Sequence, residues 1–274
     1  MEPALFDRLA IVMAHPDDEV LWACSALRAA KRIVLVFGEL KDGPQLTAGR
    51  REAMAAFPLP GLDWLEMVEA GSFDSASWRH PRETEYGVHL HPSLRVMWSF
   101  DPARYRAQFS ELQDRLRVSL KGMRNVIAHG PWGEYGHEDH VQVFRAVAGL
   151  AGEMGFRLWV PGYVAPKSEM LMRRNLRFFG RPTEPLPIDR ALAEEIAQIY
   201  KRTGTWTWFD SYTWPESERF LPWHPDGAAE PALEADIRRI ALPADYDVSR
   251  KAGLRWRREL TRRFLSWRNR RAAG

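Results

Sequence analysis

Two short runs combine histidine with carboxylates: His15-Pro16-Asp17-Asp18-Glu19 and His137-Glu138-Asp139-His140. Three consecutive carboxylates are costly to hold together without a cation, because each disfavours the ionised form of its neighbour. In the second run, a spacing of three puts His137 and His140 about one turn apart at a helix start, so both rings can face one cavity. The zincin pattern differs, with its histidines four apart. Taken alone, each run also suits a solvated helix start whose acidic residues complement the macrodipole. Two such runs, each at the end of an apolar strand where ligands of an open α/β sheet bind, make a metal site much harder to dismiss.

The elements that must position these runs alternate. Leu9 to Met13 reads as a strand that ends at the first run, and Val20 to Ala30 is rich in helix formers. Ile33 to Phe37 is a second buried strand, Arg50 to Phe57 a helix, and Trp64 to Val68 a strand. Pro102 to Lys121 carries Tyr105, Phe109, Leu112, Leu116 and Leu120 on one helical face. Val126 to Ala128 is a strand ending at His129, Glu138 to Met154 a helix, and Phe156 to Val160 a further strand. This order predicts an α/β fold built on a mostly parallel sheet with helices on both faces. Beyond Pro161 the pattern changes: Pro182 to Pro187 is a linker, Asp189 caps a helix through Arg202, and Thr203 to Pro225 is crowded with tryptophan and proline. The expected organisation is a catalytic core over 1–165, an add-on completing the cleft over 166–248, and a basic tail over 249–274.

At 274 residues, 45% hydrophobic and 27% charged, the chain can bury a sizeable core and is not a disordered polypeptide. Its single cysteine, Cys24, cannot form an intramolecular disulfide. The first residues also lack the basic-then-apolar run of a secretory signal, so a reducing, cytoplasmic setting is expected. No apolar stretch approaches the roughly 18 to 20 residues of a spanning helix. The tail holds nine arginines, one lysine and one glutamate, a net +9; with the whole chain at +3, the remainder carries −6. Basicity therefore belongs to the tail, and no nucleic-acid partner is expected. Trp256, Leu260, Phe264 and Trp267 recur there at helical spacing among arginines. That composition suits an interfacial helix on an anionic membrane, at the inner membrane face, or a terminal helix packed on the domain.

Ala14 to Glu19 together with Gly136 to His140 resembles the PIG-L/LmbE-like deacetylases, over roughly residues 9 to 160. The resemblance implies a Rossmann-like sheet and zinc-dependent removal of an N-acetyl group from an N-acetylglucosamine conjugate, lipid-linked if the membrane reading of the tail holds. It implies metal ligation by His15, Asp18 and His140, with Zn2+ or another divalent ion such as Fe2+. Asp17 would be the general base. His137, held by Asp139, would stabilise the oxyanion and protonate the leaving amine, and Tyr135 would donate to the same oxyanion. Glu138 stands where the family commonly has proline, and a solvent-facing helix-start residue is favoured over an extra carboxylate near the metal. Arg50 and Arg51 lie where the family often has a substrate-contacting arginine, with solvated helix arginines as the alternative. Trp132 is the tryptophan expected to stack on a sugar ring. His80, His89, His91 and His129 show no partner pattern. The competing classes are a metal-dependent phosphoesterase with two metals about 4 Å apart, a phosphoryl-accepting receiver domain, and a non-catalytic metal- or sugar-binding module.

Overall fold

Apolar runs rich in β-branched residues become neighbouring strands of one sheet. The computed structural model describes residues 4–41, 43–91 and 101–242; the basic tail over 249–274 lies outside the described residues. The sheet is built from β1 (Leu9–Met13), β2 (Arg32–Glu39), β3 (Leu62–Val68), β4 (Asn125–Ala128), β5 (Arg157–Pro161) and β6 (Phe220–Pro222). Their order is β6-β5-β4-β1-β2-β3. The first five strands are mutually parallel, and β6 runs antiparallel to β5 with Leu221 opposite Val160. The sheet is thus the mostly parallel, Rossmann-like one expected, with one antiparallel edge strand.

Central β1 is buried along its whole length, as a strand covered on both faces must be. Ala10 and Val12 face one apolar layer with Leu112, Leu116 and Val143, while Leu9, Ile11 and Met13 face the other with Leu21, Trp22 and Ile196. Those layers come from α1 (Asp18–Trp22), α2 (Pro44–Ala55), α3 (Pro102–Ser119), α4 (Glu138–Met154), α5 (Glu169–Asn175) and α6 (Arg190–Arg202). Local chemistry sets the ends of these helices. Asp101 caps α3 by accepting from the Arg104 amide at 2.9 Å, followed by Pro102 in the first turn, where its missing N–H costs nothing. Asp189 caps α6 through the Leu192 amide at 3.0 Å. Gly155 ends α4 in a left-handed conformation.

Two helices differ from their sequence expectation. The helix expected over 20–30 is the short α1 followed by a 3-10 segment, Cys24–Ala29. The helix expected from Arg50 begins at Pro44, because proline after Gly43 is already preorganised for a first helical turn. No helix among the described residues is long and apolar enough to cross a membrane.

Candidate metal centre

β1 and β4 are neighbours, with Ile11 opposite Ile127, so the loops leaving their carboxyl ends emerge side by side. The chain continues to β2 on one side and to β5 on the other, which opens a crevice at this point. The first loop turns sharply into α1 at Asp17, whose φ of 100° is a left-handed value that costs a non-glycine residue about 1–3 kcal/mol. In the second loop Gly133, Glu134 and Gly136 all have positive φ. A Cβ at Gly133 would lie 2.5 Å from the His137 carbonyl oxygen, so this tight return needs glycine.

The two loops bring the histidines and carboxylates into one buried cluster, none of whose side-chain-bearing residues is more than 8% exposed among His15, Asp17, Asp18, His137, Asp139 and His140. Asp18 Oδ2 lies 3.2 Å from His15 Nδ1 and 3.2 Å from His140 Nε2. Two ligands about 2.0 Å from a tetrahedral zinc stand roughly 3.3 Å apart, so these separations suit such an ion. The far nitrogens are already oriented: His15 Nε2 faces Asp139 Oδ2 at 3.3 Å, and His140 Nδ1 faces Glu134 Oε2 at 2.7 Å. A carboxylate behind a ligating imidazole fixes its tautomer and raises its basicity. His140 Nε2 is buried without a hydrogen-bond partner, as a nitrogen meant for a cation would be.

Three overlapping groups hold donor atoms within 4.8 Å of one another: His15 with His137 and His140, Asp18 with His129 and His140, and His15 with Glu69 and Asp139. Hydrogen bonding separates them. His129 has both nitrogens committed, Nε2 accepting from the Ala14 amide at 2.9 Å and Nδ1 meeting Glu134 Oε2 at 2.8 Å. Glu69 is paired with the buried Arg50 at 2.5 Å. His137 uses Nδ1 to accept from the Asp139 amide at 3.1 Å. The expected set of His15, Asp18 and His140 spans these groups: Asp18 Oδ2 is 3.2 Å from both His15 Nδ1 and His140 Nε2, while His137, grouped with the same two histidines, keeps its Nε2 open as a further donor atom.

The electrostatics separate the two adjacent aspartates. Burial opposes ionisation of Asp18, but His140, His129 and His15 outweigh it and hold the carboxyl well below its usual range. Burial, reinforced by Asp18, pushes Asp17 up to about 7 despite two bonds from Thr207. His137 is held well below its ordinary value, first by burial and then by His140 and His15. With Nδ1 accepting an amide proton, its neutral ring carries hydrogen on Nε2, a donor without positive charge.

Most of the expected residues meet here. Tyr135 joins them, its ring 5.3 Å from that of His140 and 5.8 Å from that of His137. Four expectations need correction. Asp139 holds His137 through its backbone amide, while its carboxylate serves His15 and accepts from Ser72 Oγ at 2.6 Å. Glu138 is fully buried, accepting from the amides of Asp74 and Ala76 and from Trp78 Nε1, so it faces a strap of chain instead of solvent. Trp132 is also fully buried, donates to the Tyr163 carbonyl at 2.7 Å and packs edge-on against Phe179, which removes it from any sugar. Arg51 is exposed and pairs with Glu66 at 3.4 Å; of the two arginines only Arg50 approaches the cluster, through Glu69, whose Oε1 is 3.8 Å from His15 Nε2.

Sequence reasoning missed Glu134, His129, Ser72, Phe73 and Thr207. Phe73 stands against His137 with ring centroids 4.7 Å apart. Glu134 was within reach, since it follows Gly133 and lies six residues before His140, a spacing that lets a tight loop fold its carboxylate back.

Neither a family model nor a curated protein sequence matches the chain. Solved structures do share its fold. A deacetylase–teicoplanin complex from the biosynthesis pathway of teicoplanin is 14% identical, with a TM-score of 0.52 over 80% of this chain and 100% of that one. The A40926 pseudoaglycone deacetylase Dbv21 is 15% identical, with a TM-score of 0.50 over 79% and 96%. The zinc-inhibited form of teicoplanin deacetylase Orf2 is 12% identical, with a TM-score of 0.50 over 78% and 97%. At these identities the likeness is one of fold.

Proposed function

We propose that the chain is a metal-dependent hydrolase that removes the N-acetyl group from an N-acetylglucosamine-type conjugate. The observation that carries this reading is the position of Asp18 Oδ2, 3.2 Å from a nitrogen of each of two histidines whose opposite nitrogens face carboxylates. The solved structures sharing the fold, deacetylases of teicoplanin and of A40926 pseudoaglycone, support an acyl amide as substrate.

In this reading His15, Asp18 and His140 hold Zn2+ or Fe2+, which supplies Lewis-acid activation of water and of the amide carbonyl when bound. Asp17, with its carboxyl pushed up to about 7, accepts a proton from the attacking water near neutral pH. Oxygen from water bonds to the acyl carbon, the C–N bond breaks, and the amine departs with the proton Asp17 took. Neutral His137 donates from Nε2 to the oxyanion, and Tyr135 borders the same space. Arg50 and Glu69 form a charged pair beside His15, placed to meet the polar part of the substrate. A two-metal phosphoesterase is the weaker reading, because the adjoining His15–Glu69–Asp139 group has Arg50 against Glu69. The basic segment 249–274 is proposed to bring the protein to anionic lipid, which fits a lipid-linked amino sugar.

The test is metal content per chain together with acetate release from a panel of N-acetylglucosamine conjugates, for the native protein and Asp17→Ala. Acetate release that needs one divalent ion and is lost in Asp17→Ala while the ion is retained supports the reading. A chain that binds no divalent ion refutes it.

A further inference from the structure

Asp17 is gripped by a segment far away in sequence. Thr207 donates to Asp17 Oδ2 twice, from its backbone N–H and from its Oγ–H, both at 2.8 Å. On the other side, the Asp17 amide donates to Glu19 Oε2 at 3.1 Å, and Tyr200 of α6 donates to Glu19 Oε1 at 2.7 Å. Both contacts come from α6 and the turn that follows it. That turn is itself fixed: the amides of Thr205 and Trp206 donate to the Tyr200 carbonyl, and Thr205 is fully buried. Gly49 of α2 packs so closely that a Cβ there would lie 2.2 Å from the Thr203 carbonyl oxygen and 2.8 Å from Thr205 Cγ2. The next residue, Trp208, lies against Tyr135 with ring centroids 4.9 Å apart and edge-on to Trp22 at 5.3 Å.

A carboxylate used as a base must present one oxygen in a fixed direction, and Asp17 sits in a left-handed backbone conformation that local preference alone does not favour. Two donors converging on Oδ2 commit that oxygen and leave Oδ1 to take the proton. We propose that Thr207 is a positioning residue that clamps Asp17 for catalysis, so that the segment after α6 completes the active site. This inference rests on the deacetylase reading given above.

The experiment compares Thr207→Val and Thr207→Ser in the full-length, metal-loaded protein. Valine keeps the shape and the amide donor but deletes the hydroxyl. The kcat for acetate release falls about 10- to 100-fold, the worth of one hydrogen bond to a charged group, with KM and metal content unchanged. Serine restores kcat to within about threefold, because it restores the hydroxyl. A valine variant with native kcat, or a serine variant as slow as valine, overturns the clamp. A second measurement is independent of turnover: the amide of the exposed Thr207 exchanges slowly with deuterium in the native protein and rapidly in Asp17→Ala. Equal exchange in the two overturns the clamp as well. A native protein with a protected Thr207 amide but no amide hydrolysis under any divalent ion overturns the functional reading instead, and with it the clamp's catalytic role.

Discussion

Replacing Glu134 with glutamine changes one atom in a side chain that no cation is expected to touch, yet the geometry makes it a severe change for metal binding. Glu134 accepts on three sides: Oε1 from the Gly130 amide at 2.7 Å, and Oε2 facing Nδ1 of His129 at 2.8 Å and of His140 at 2.7 Å. All three partners act as donors when His140 is to offer a lone pair at Nε2. Glutamine has one acceptor oxygen and one NH2. If its oxygen faces the rings, the NH2 confronts the Gly130 amide, and a buried donor left unsatisfied costs about 1–3 kcal/mol. If the NH2 faces the rings, His140 must accept at Nδ1 and carry its proton on Nε2, the atom 3.2 Å from Asp18 Oδ2. That proton occupies the lone pair required for ligation. Loss of such a supporting carboxylate weakens metal affinity by about 10- to 100-fold, and Glu134→Gln should fall in that range. Competition against a chelator of known affinity measures it, with circular dichroism confirming that the fold is kept. A Glu134→Gln protein that binds zinc within twofold of native affinity refutes the assignment of His140 Nε2 as a ligand.

Trp132→Ala should cost about 3–5 kcal/mol in urea unfolding, as for any large buried aromatic, while KM stays native; a raised KM with native stability would return Trp132 to the substrate. Burial raises the Glu218 carboxyl above its usual 4.5, opposed by bonds from Ser25 and Tyr163. An acid raised in the fold favours the native state below pH 4.5, a contribution lost as pH climbs through its folded value. Glu218→Gln should therefore gain stability relative to the native protein as pH rises above 4.5, until the Glu218 carboxyl is fully ionised in the fold. Thermal unfolding across that range checks it, and a constant difference is the contrary result. Deleting residues 249–274 should reduce sedimentation with anionic vesicles, more so at low salt; unchanged partitioning removes the membrane role.

The sequence made the scaffold legible where hydrophobic period and end signals agreed. β1 and α4 have the bounds expected of them, since a five-residue apolar run and an acidic helix start closed by Gly155 leave little freedom. The same strands explain why the two His/Asp runs meet. Less was legible where the answer depends on which atom faces which. Spacing places Asp139 beside His137, but in a helix start it is the backbone amide that reaches back to the cap, and the carboxylate swings to His15. Glu138 has the look of a solvated first-turn acid until a strap 60 to 64 residues earlier in the chain is laid across it. Trp132 shows the limit, since its ring type favours a sugar contact and packing buries it instead, while Arg51 takes the solvated alternative that its position left open.

The antiparallel strand β6 and Thr207 come late in the chain, and that timing bears on synthesis. A nascent polypeptide that has emerged only to Pro161 already contains His15, Asp18 and His140 and the five parallel strands. It still presents β5 as an open edge, without the Leu221–Val160 pairing, and open edges invite association with other chains. The Asp17–Thr207 contact spans 190 residues, so it forms only after most of the translation product is free. The proposed ligands can thus come together before the Asp17–Thr207 contact does, and that contact waits for the last part of the fold to assemble.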